Sequence, residues 1–420
     1  MKHQLCAIAF TGTLAMIPVG TALAQASADI NQTGQDHTAY AEQVSNAGAN
    51  IAATLVQSGN GNRAGDPDTG TVSLTAGGIL QKENRGNTTA EVRQDGSDNL
   101  GMVTQEGVGE KYGRVSQTGV GHTGTIIEQG GTGGGAAITQ VGASNAAAVT
   151  LSSSGGVVEV VQSSQDNKAE VTQRSSGRTA LRQDGAFNTA ILDNQRRVGD
   201  LAVEQAGSAN FALATSLGSI VQTGTGNSAW LSGTNDLVIN PVFYNTTGRI
   251  NQQGMANNAS ISQRWSAGNG VASIDQLGNG HTASLTTLGR HGGIVQIRQQ
   301  GNAHSASVDQ ASFTASNVYV DQQGTGQKAT ISQKAFQFGQ SRTVQKGGFN
   351  VASISNFQTG SGDESSILQD GFRNQALVSQ SGDLGIAGDI NKATIQQQGS
   401  DFQAAIHQIG AANRAAIRQH

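Results

Sequence analysis

The side chains of this chain that could act on a substrate are histidines, a few acidic residues and glycine-rich runs, and none has the spacing that such chemistry needs. His37, His122, His281 and His304 share one place, five residues after a glutamine and three after a glycine, in Gln-x-Gly-x-x-His. Elsewhere that place holds asparagine, so the histidines read as polar substitutes at a chain corner, not as metal ligands. Asp66 and Asp68 flank a proline and suggest calcium, but a calcium-binding β-roll repeats its aspartates about every nine residues and this chain does not. Gly130 to Gly135 lacks the Lys-Ser/Thr of a phosphate loop. No Gly-x-Ser-x-Gly elbow has partners, and no Asp or Glu cluster marks an acid and base for glycoside cleavage. The residues predict a protein that is not an enzyme and uses no metal and no cofactor.

The chemistry that does repeat is that of the carboxamide, which offers one acceptor oxygen and two donor hydrogens. Gln-x-Gly occurs about twenty times, against roughly six expected from composition. It belongs to a longer pattern, seen from Ile250 to Gln263 as apolar, x, Gln252, x, Gly254, x, x, Asn257, x, Ala259, x, Ile261, x, Gln263. The Gln-x-Gly-x-x-Asn core returns at Gln57, Gln94, Gln140, Gln183, Gln205, Gln222, Gln345, Gln369 and Gln408, and with histidine at Gln32, Gln117, Gln276 and Gln299. From Gln276 the motif comes back at Gln299, Gln322, Gln345 and Gln369, with half-pitch glutamines at Gln310, Gln333 and Gln380.

Elements that hold such residues must be strands. Within an arm, marked residues alternate with variable ones, the period of a β-strand with one buried face. Glycine and the two residues after it shift the parity, which makes a corner. Helix is disfavoured because apolar residues at i, i+3 and i+4 are not sustained and glycine is too frequent. A lone hairpin with so thin an Ala and Ile face buries too little, but stacked copies share a core. The expected fold is all-β, a β-solenoid of stacked strand-turn-strand repeats of about 22–24 residues.

Stacking puts equivalent amides beside one another in ladders. The expected ladder glutamines are Gln94, Gln117, Gln140, Gln183, Gln252, Gln263, Gln276 and Gln299, then Gln322, Gln345, Gln369, Gln397, Gln408 and Gln419. The asparagines are Asn99, Asn145, Asn188, Asn257, Asn350, Asn374 and Asn413. The turn glycines are Gly96, Gly119, Gly142, Gly185, Gly254, Gly278, Gly301, Gly324, Gly371 and Gly410. The motif lapses at 64–88 and 232–249, around Pro67 and Pro241, and both stretches read as inserted loops. Phe243 and Tyr244 in the second either cover a coil edge or form a binding tip, with cover favoured.

Composition agrees with a repeat and excludes other classes. Of 420 residues 58 are glycine, about twice the usual ~7%. With only three prolines and no three-residue glycine period, the chain is not a collagen. Residues 1–24 show a basic start at Lys2, an apolar stretch and Ala22-Leu23-Ala24, the pattern of a secretory leader cleaved before Gln25. The single cysteine, Cys6, lies inside that leader, so neither a disulfide nor a lipid anchor is expected in residues 25–420. The formal charge of −4 offers no basic patch for nucleic acid. No later stretch reaches the ~18 apolar residues of a membrane span.

At Gln252 to Gln263, Gln162 to Gln173 and Gln408 to Gln419 the chain resembles the curlin repeat family, roughly Ser-x5-Gln-x-Gly-x-x-Asn-x-Ala-x3-Gln, the subunits of extracellular amyloid fibres of Gram-negative bacteria. The resemblance covers most of residues 30–420. The leading serine is usually absent, Ser164 replaces one glycine, and there are many more units than in a typical subunit. The resemblance implies secretion, partners that are the chain itself and other curlin-type subunits, an export pore with chaperones, and a role in biofilm and adhesion. Two alternatives are a monomeric β-solenoid adhesin or ice-binding protein, and a β-helix carbohydrate-active enzyme. The position after the motif glutamine, from Thr33 and Ser58 to Asp95 and Lys346, is no threonine ladder. The regular motifs in 395–420 are expected to form a growth or docking end.

Overall fold

The computed structural model describes residues 25–420 apart from 46–48, 66–72, 74–75, 85, 131–132, 153–154, 175–176, 195–198, 216–217, 234–246, 266–269, 290–292, 313–315, 336–338, 358–362, 382–389 and 411. Residues 1–24 with Cys6, the Asp66-Pro67-Asp68 stretch, and Pro241, Phe243 and Tyr244 lie outside the described residues. The fold is all-β, a β-solenoid of parallel stacked strands. The chain divides into two units, 1–209 and 210–420.

In the first unit the strands that carry the Gln-x-Gly motif, here called first arms, pair with one another. Gln25–Gln35 lies on Asn50–Asn60, which lies on Thr88–Ser97, then Lys111–Val120, Gly135–Ala143, Val157–Gln165, Arg178–Ala186 and Leu201–Ser208, all parallel and in register. The second arms make the facing sheet, for example Leu100–Glu106, Thr123–Gln129, Ala146–Leu151, Lys168–Gln173 and Thr189–Asn194.

The second unit repeats the scheme. Its first arms run from Gly218–Thr225 and Thr247–Met255 through Val271–Asn279, Ile294–Asn302, Asn317–Thr325, Gln340–Gly348 and Glu364–Phe372 to Lys392–Ser400 and Arg414–Gln419. The second arms run from Phe211–Ala214 and Ser228–Gly233 to Gln375–Ser381 and Gln403–Ile409.

Register turns the repeat into columns of like residues. Ile220, Ile250, Ile274, Ile297 and Val320 stack on one wall and Leu231, Ile261, Leu285, Val308, Ile331 and Ile354 on the other, all buried. Ala229, Ala259, Ala283, Ala306, Ala329 and Ala352 fill a third column. The small residue is a packing requirement: in the first unit Gly101 takes its place, and a Cβ there would sit 2.6 Å from Cγ1 of Val92. The two walls are that close, which is why the chain is rich in alanine and poor in aromatics.

One expected loop changes, and the other lies mostly outside the described residues. Of the loop expected at 64–88, Arg63–Ala64 and Gly78–Asn84 are strands, and Gly78–Asn84 is a core second arm between Ala41–Ser45 and Leu100–Glu106 with Ile79 and Gln81 buried. The stretch lacks Gly-x-x-Asn, but apolar-x-Gln at Ile79 to Gln81 suffices for a strand. At 232–249 the ends belong to Ser228–Gly233 and Thr247–Met255, and 234–246 lie outside the described residues.

Candidate functional site: the inward amide columns

The first arms direct their motif glutamines inward, and consecutive amides join through one hydrogen bond within each unit. These glutamines are buried from Gln57 to Gln397, while the end members are exposed at Gln32 and half-buried at Gln419. In the first unit Nε2 of each glutamine donates to Oε1 of the next along Gln32, Gln57, Gln94, Gln117, Gln140, Gln162, Gln183 and Gln205, at 2.7–2.9 Å. In the second the same column runs Gln222, Gln252, Gln276, Gln299, Gln322, Gln345, Gln369, Gln397 and Gln419, at 2.8–2.9 Å. The second hydrogen on Nε2 goes to the carbonyl that opens a second arm, as from Gln117 to Leu100 at 2.9 Å and from Gln299 to Thr282 at 3.1 Å. Both donors and the acceptor are thus used, which offsets the cost of burying an amide. Within each unit all the bonds point toward the C-terminal neighbour.

Asparagine makes the corner column. The backbone N–H of Asn99 donates to Oδ1 of Asn62, and that of Asn257 to Oδ1 of Asn227, at 3.0 and 3.1 Å. Nδ2 donates back four residues and across to the carbonyl at the corner of the next coil, a glycine or, once, Ser164 in its place: Asn145 to Val141 and Ser164, Asn188 to Asp184 and Gly207, Asn350 to Lys346 and Gly371. Asn374 reaches the carbonyl of Gly399 and receives the N–H of Phe402 on Oδ1.

That glycine is needed for a second reason. Gly301 has φ +127°, and a Cβ there would collide with the carbonyl oxygen of Gly324. Gly96, Gly119, Gly142, Gly185, Gly254, Gly278, Gly324 and Gly371 repeat this corner.

The histidines imitate asparagine. The backbone N–H of Asn145 donates to Nδ1 of His122, that of His304 to Nδ1 of His281, and that of Gln327 to Nδ1 of His304, at 3.2, 3.3 and 3.3 Å. Nε2 meets the carbonyl four residues back, Thr118, Leu277 or Gln300, at 3.0–3.1 Å. Since an N–H only donates and a carbonyl only accepts, the ring proton sits on Nε2 and both nitrogens are occupied. His37 makes the same two contacts. Burial lowers the pKa of His122, His281 and His304 below the ordinary histidine value.

Three expected ladder members stand elsewhere. Gln408 is on a second arm, where its Oε1 accepts from Gln380 at 2.7 Å, so it is not in the column of Gln397 and Gln419. Gly410 and Asn413 follow it to the opposite corner: Gly410, at φ +95°, accepts from Nδ2 of Asn391, and the N–H of Asn413 donates to Oδ1 of Asn391. Both arms share one alternation, so the motif is compatible with either. Gln263 is buried between register neighbours Gly233 and Thr287, which carry no carboxamide, and its Nε2 has no partner. It is not part of a ladder.

The second arms hold a shorter amide column that the Gln-x-Gly spacing does not reveal. Nε2 of Gln43 donates to Gln81, Gln81 to Gln105, and Gln105 to Oε2 of Glu128, at 2.8–2.9 Å. Glu128 faces Leu151 in the next strand, so the column stops there. Burial pushes the Glu128 carboxyl up to about 7, opposed by the Gln105 hydrogen bond and the Lys111 charge. Burial likewise lowers Lys111, whose Nζ donates to the Glu106 carbonyl. The apolar-x-Gln pairs Ile79 to Gln81 and Val103 to Gln105 were the available signal.

Among the described residues no three His, Cys, Asp or Glu gather as a metal site, and no helix is long and apolar enough to cross a membrane. No protein-family model matches the chain, and no curated protein matches it.

Proposed function

We propose that this chain is a secreted structural subunit that self-assembles by coil stacking into extracellular, curli-like amyloid fibres, with adhesion and matrix building as their use. The observation that carries the reading is the column of glutamines from Gln222 to Gln419, in which each amide repeats the bond of the one before. A ladder of this kind extends to a strand of another copy with the same chemistry. Outward positions next to it follow no such rule: Gln253, Leu277, Gln300, Gln323, Lys346 and Asp370 share one register position. The leader pattern at 1–24 supports export, and the curlin resemblance supports a dedicated pore, chaperones and sister subunits as partners. Immunogold labelling of intact producing cells tests this, and labelled fibres outside the cell are the expected result. Label confined to the cell interior, or spread on the surface without fibres, overturns it.

A second reading has one observation in its favour. Ser260, Ser284, Ser307, Thr330 and Ser353 stand in one register column on second arms, as do Ser262, Thr286, Asp309, Ser332 and Ser355 beside them. Such a hydroxyl face suits a monomeric solenoid that adheres to a regular surface. A chain that stays monomeric while binding ice or a solid polysaccharide would favour it.

A further inference from the structure

We propose that His281 and His304 form an acid-sensitive latch in the corner column of the second unit, closed while both rings are neutral and opened by a proton at Nδ1. The rings are stacked, 5.0 Å between centroids and 6° from parallel. Both are fully inside the corner. Each Nδ1 accepts the backbone N–H of the next coil, from His304 and from Gln327. Each Nε2 donates to a carbonyl, of Leu277 or Gln300.

A proton added at Nδ1 turns the acceptor into a donor that faces another donor. It breaks the link between coils and leaves a buried backbone N–H unpaired. Two protons place like charges on stacked rings, and among the described residues no carboxylate is paired with either ring. The column neighbours Asn257 and Gln327 are neutral. Arg298 on the packed first arms and Asp309 and Lys328 on the second arms are exposed, and Asp275 and Asp321 are half-buried at positions that alternate with the buried residues. None of them is among the causes of the His281 and His304 shifts. The amides at Asn257 and Asn374 make the same coil link through Oδ1 and do not titrate.

The sign follows from burial, which lowers proton affinity in the folded corner relative to the open chain. The contribution is complete above the ordinary histidine value of about 6.5, is lost as pH falls below it toward the folded value, and is then constant. Each pKa unit of lowering appears as about a tenfold more open corner at acid pH. The latch rests on the fold alone and stands or falls apart from the proposed fibre role.

The test is amide hydrogen exchange of the soluble full chain at about pH 7.5 and about pH 5, corrected for the intrinsic pH dependence of exchange. The expected result is faster exchange at about pH 5 at the His304 and Gln327 amides, with no change at Asn374 and Phe402, whose N–H groups bond to asparagine. The double variant His281→Asn/His304→Asn keeps the acceptors and should exchange equally at both pH values. Equal acceleration at every corner, no acceleration, or a variant that behaves as wild type overturns the proposal. Ring nitrogen-15 shifts of the wild type give a readout independent of the variant. A proton on Nδ1 at about pH 7.5 overturns it as well.

Discussion

Gln299 uses all three of its hydrogen-bonding sites: Nε2 donates to Gln322 and Thr282, and Oε1 accepts from Gln276. Truncating it to alanine leaves a donor on Gln276 and an acceptor on Gln322 buried and unmet, so Gln299→Ala should cost about 2–4 kcal/mol in urea unfolding. Gln300→Ala, one residue on and facing solvent, should stay within about 0.5 kcal/mol. Glu128 gives the opposite case. Its folded pKa of about 7 lies above the ordinary value of 4.5, so the folded state holds the proton more tightly. Stability falls as pH rises from the lower value to the higher and then levels off. Glu128→Gln keeps the acceptor for Gln105 and removes the charge, and should raise stability by about 1–3 kcal/mol above neutral pH and by little at acid pH. Urea midpoints across that range check it. The first-arm glutamines were legible because glycine and asparagine mark them at fixed spacing. Glu128 was not, since a lone glutamate after two isoleucines reveals neither its neighbour Gln105 nor its burial.

At the scale of the element, the corner decides where a strand ends. Gly301→Ala must place a methyl group against the Gly324 carbonyl at φ +127°, and should destabilise by about 2 kcal/mol or more. Ser164 occupies the same place with φ +74°, so Ser164→Gly should stabilise, by about 1 kcal/mol. Thermal or denaturant unfolding of the two variants gives opposite signs if the corner is as described. Strand, corner and inward face were readable from alternation alone. Which arm a motif occupies was not: Gln408 to Asn413 has every mark of a first arm yet stacks on Gln380 and Asn391. Alternation fixes which face is buried, while assignment to one sheet or the other depends on the length of the preceding connection. The strand Gly78–Asn84 was missed for a related reason, having the alternation without the corner.

At the scale of the whole molecule, each unit keeps its amide columns inside, while outward columns range from the mixed one at Leu277, Lys346 and Asp370 to the hydroxyl one from Ser260 to Ser353. Edge strands of a parallel sheet present unpaired N–H and C=O groups, and a chain whose amides are in phase with those groups offers a second set of bonds to an incoming copy. On the proposed function, coils of separate molecules stack as coils within a unit do. X-ray diffraction from aligned fibres grown from purified residues 25–420 tests it most directly. A meridional reflection at ~4.8 Å, with strands perpendicular to the fibre axis, and an equatorial one at ~10 Å are expected. Persistent monomer at high concentration, or fibres whose ~4.8 Å reflection lies on the equator, would contradict it.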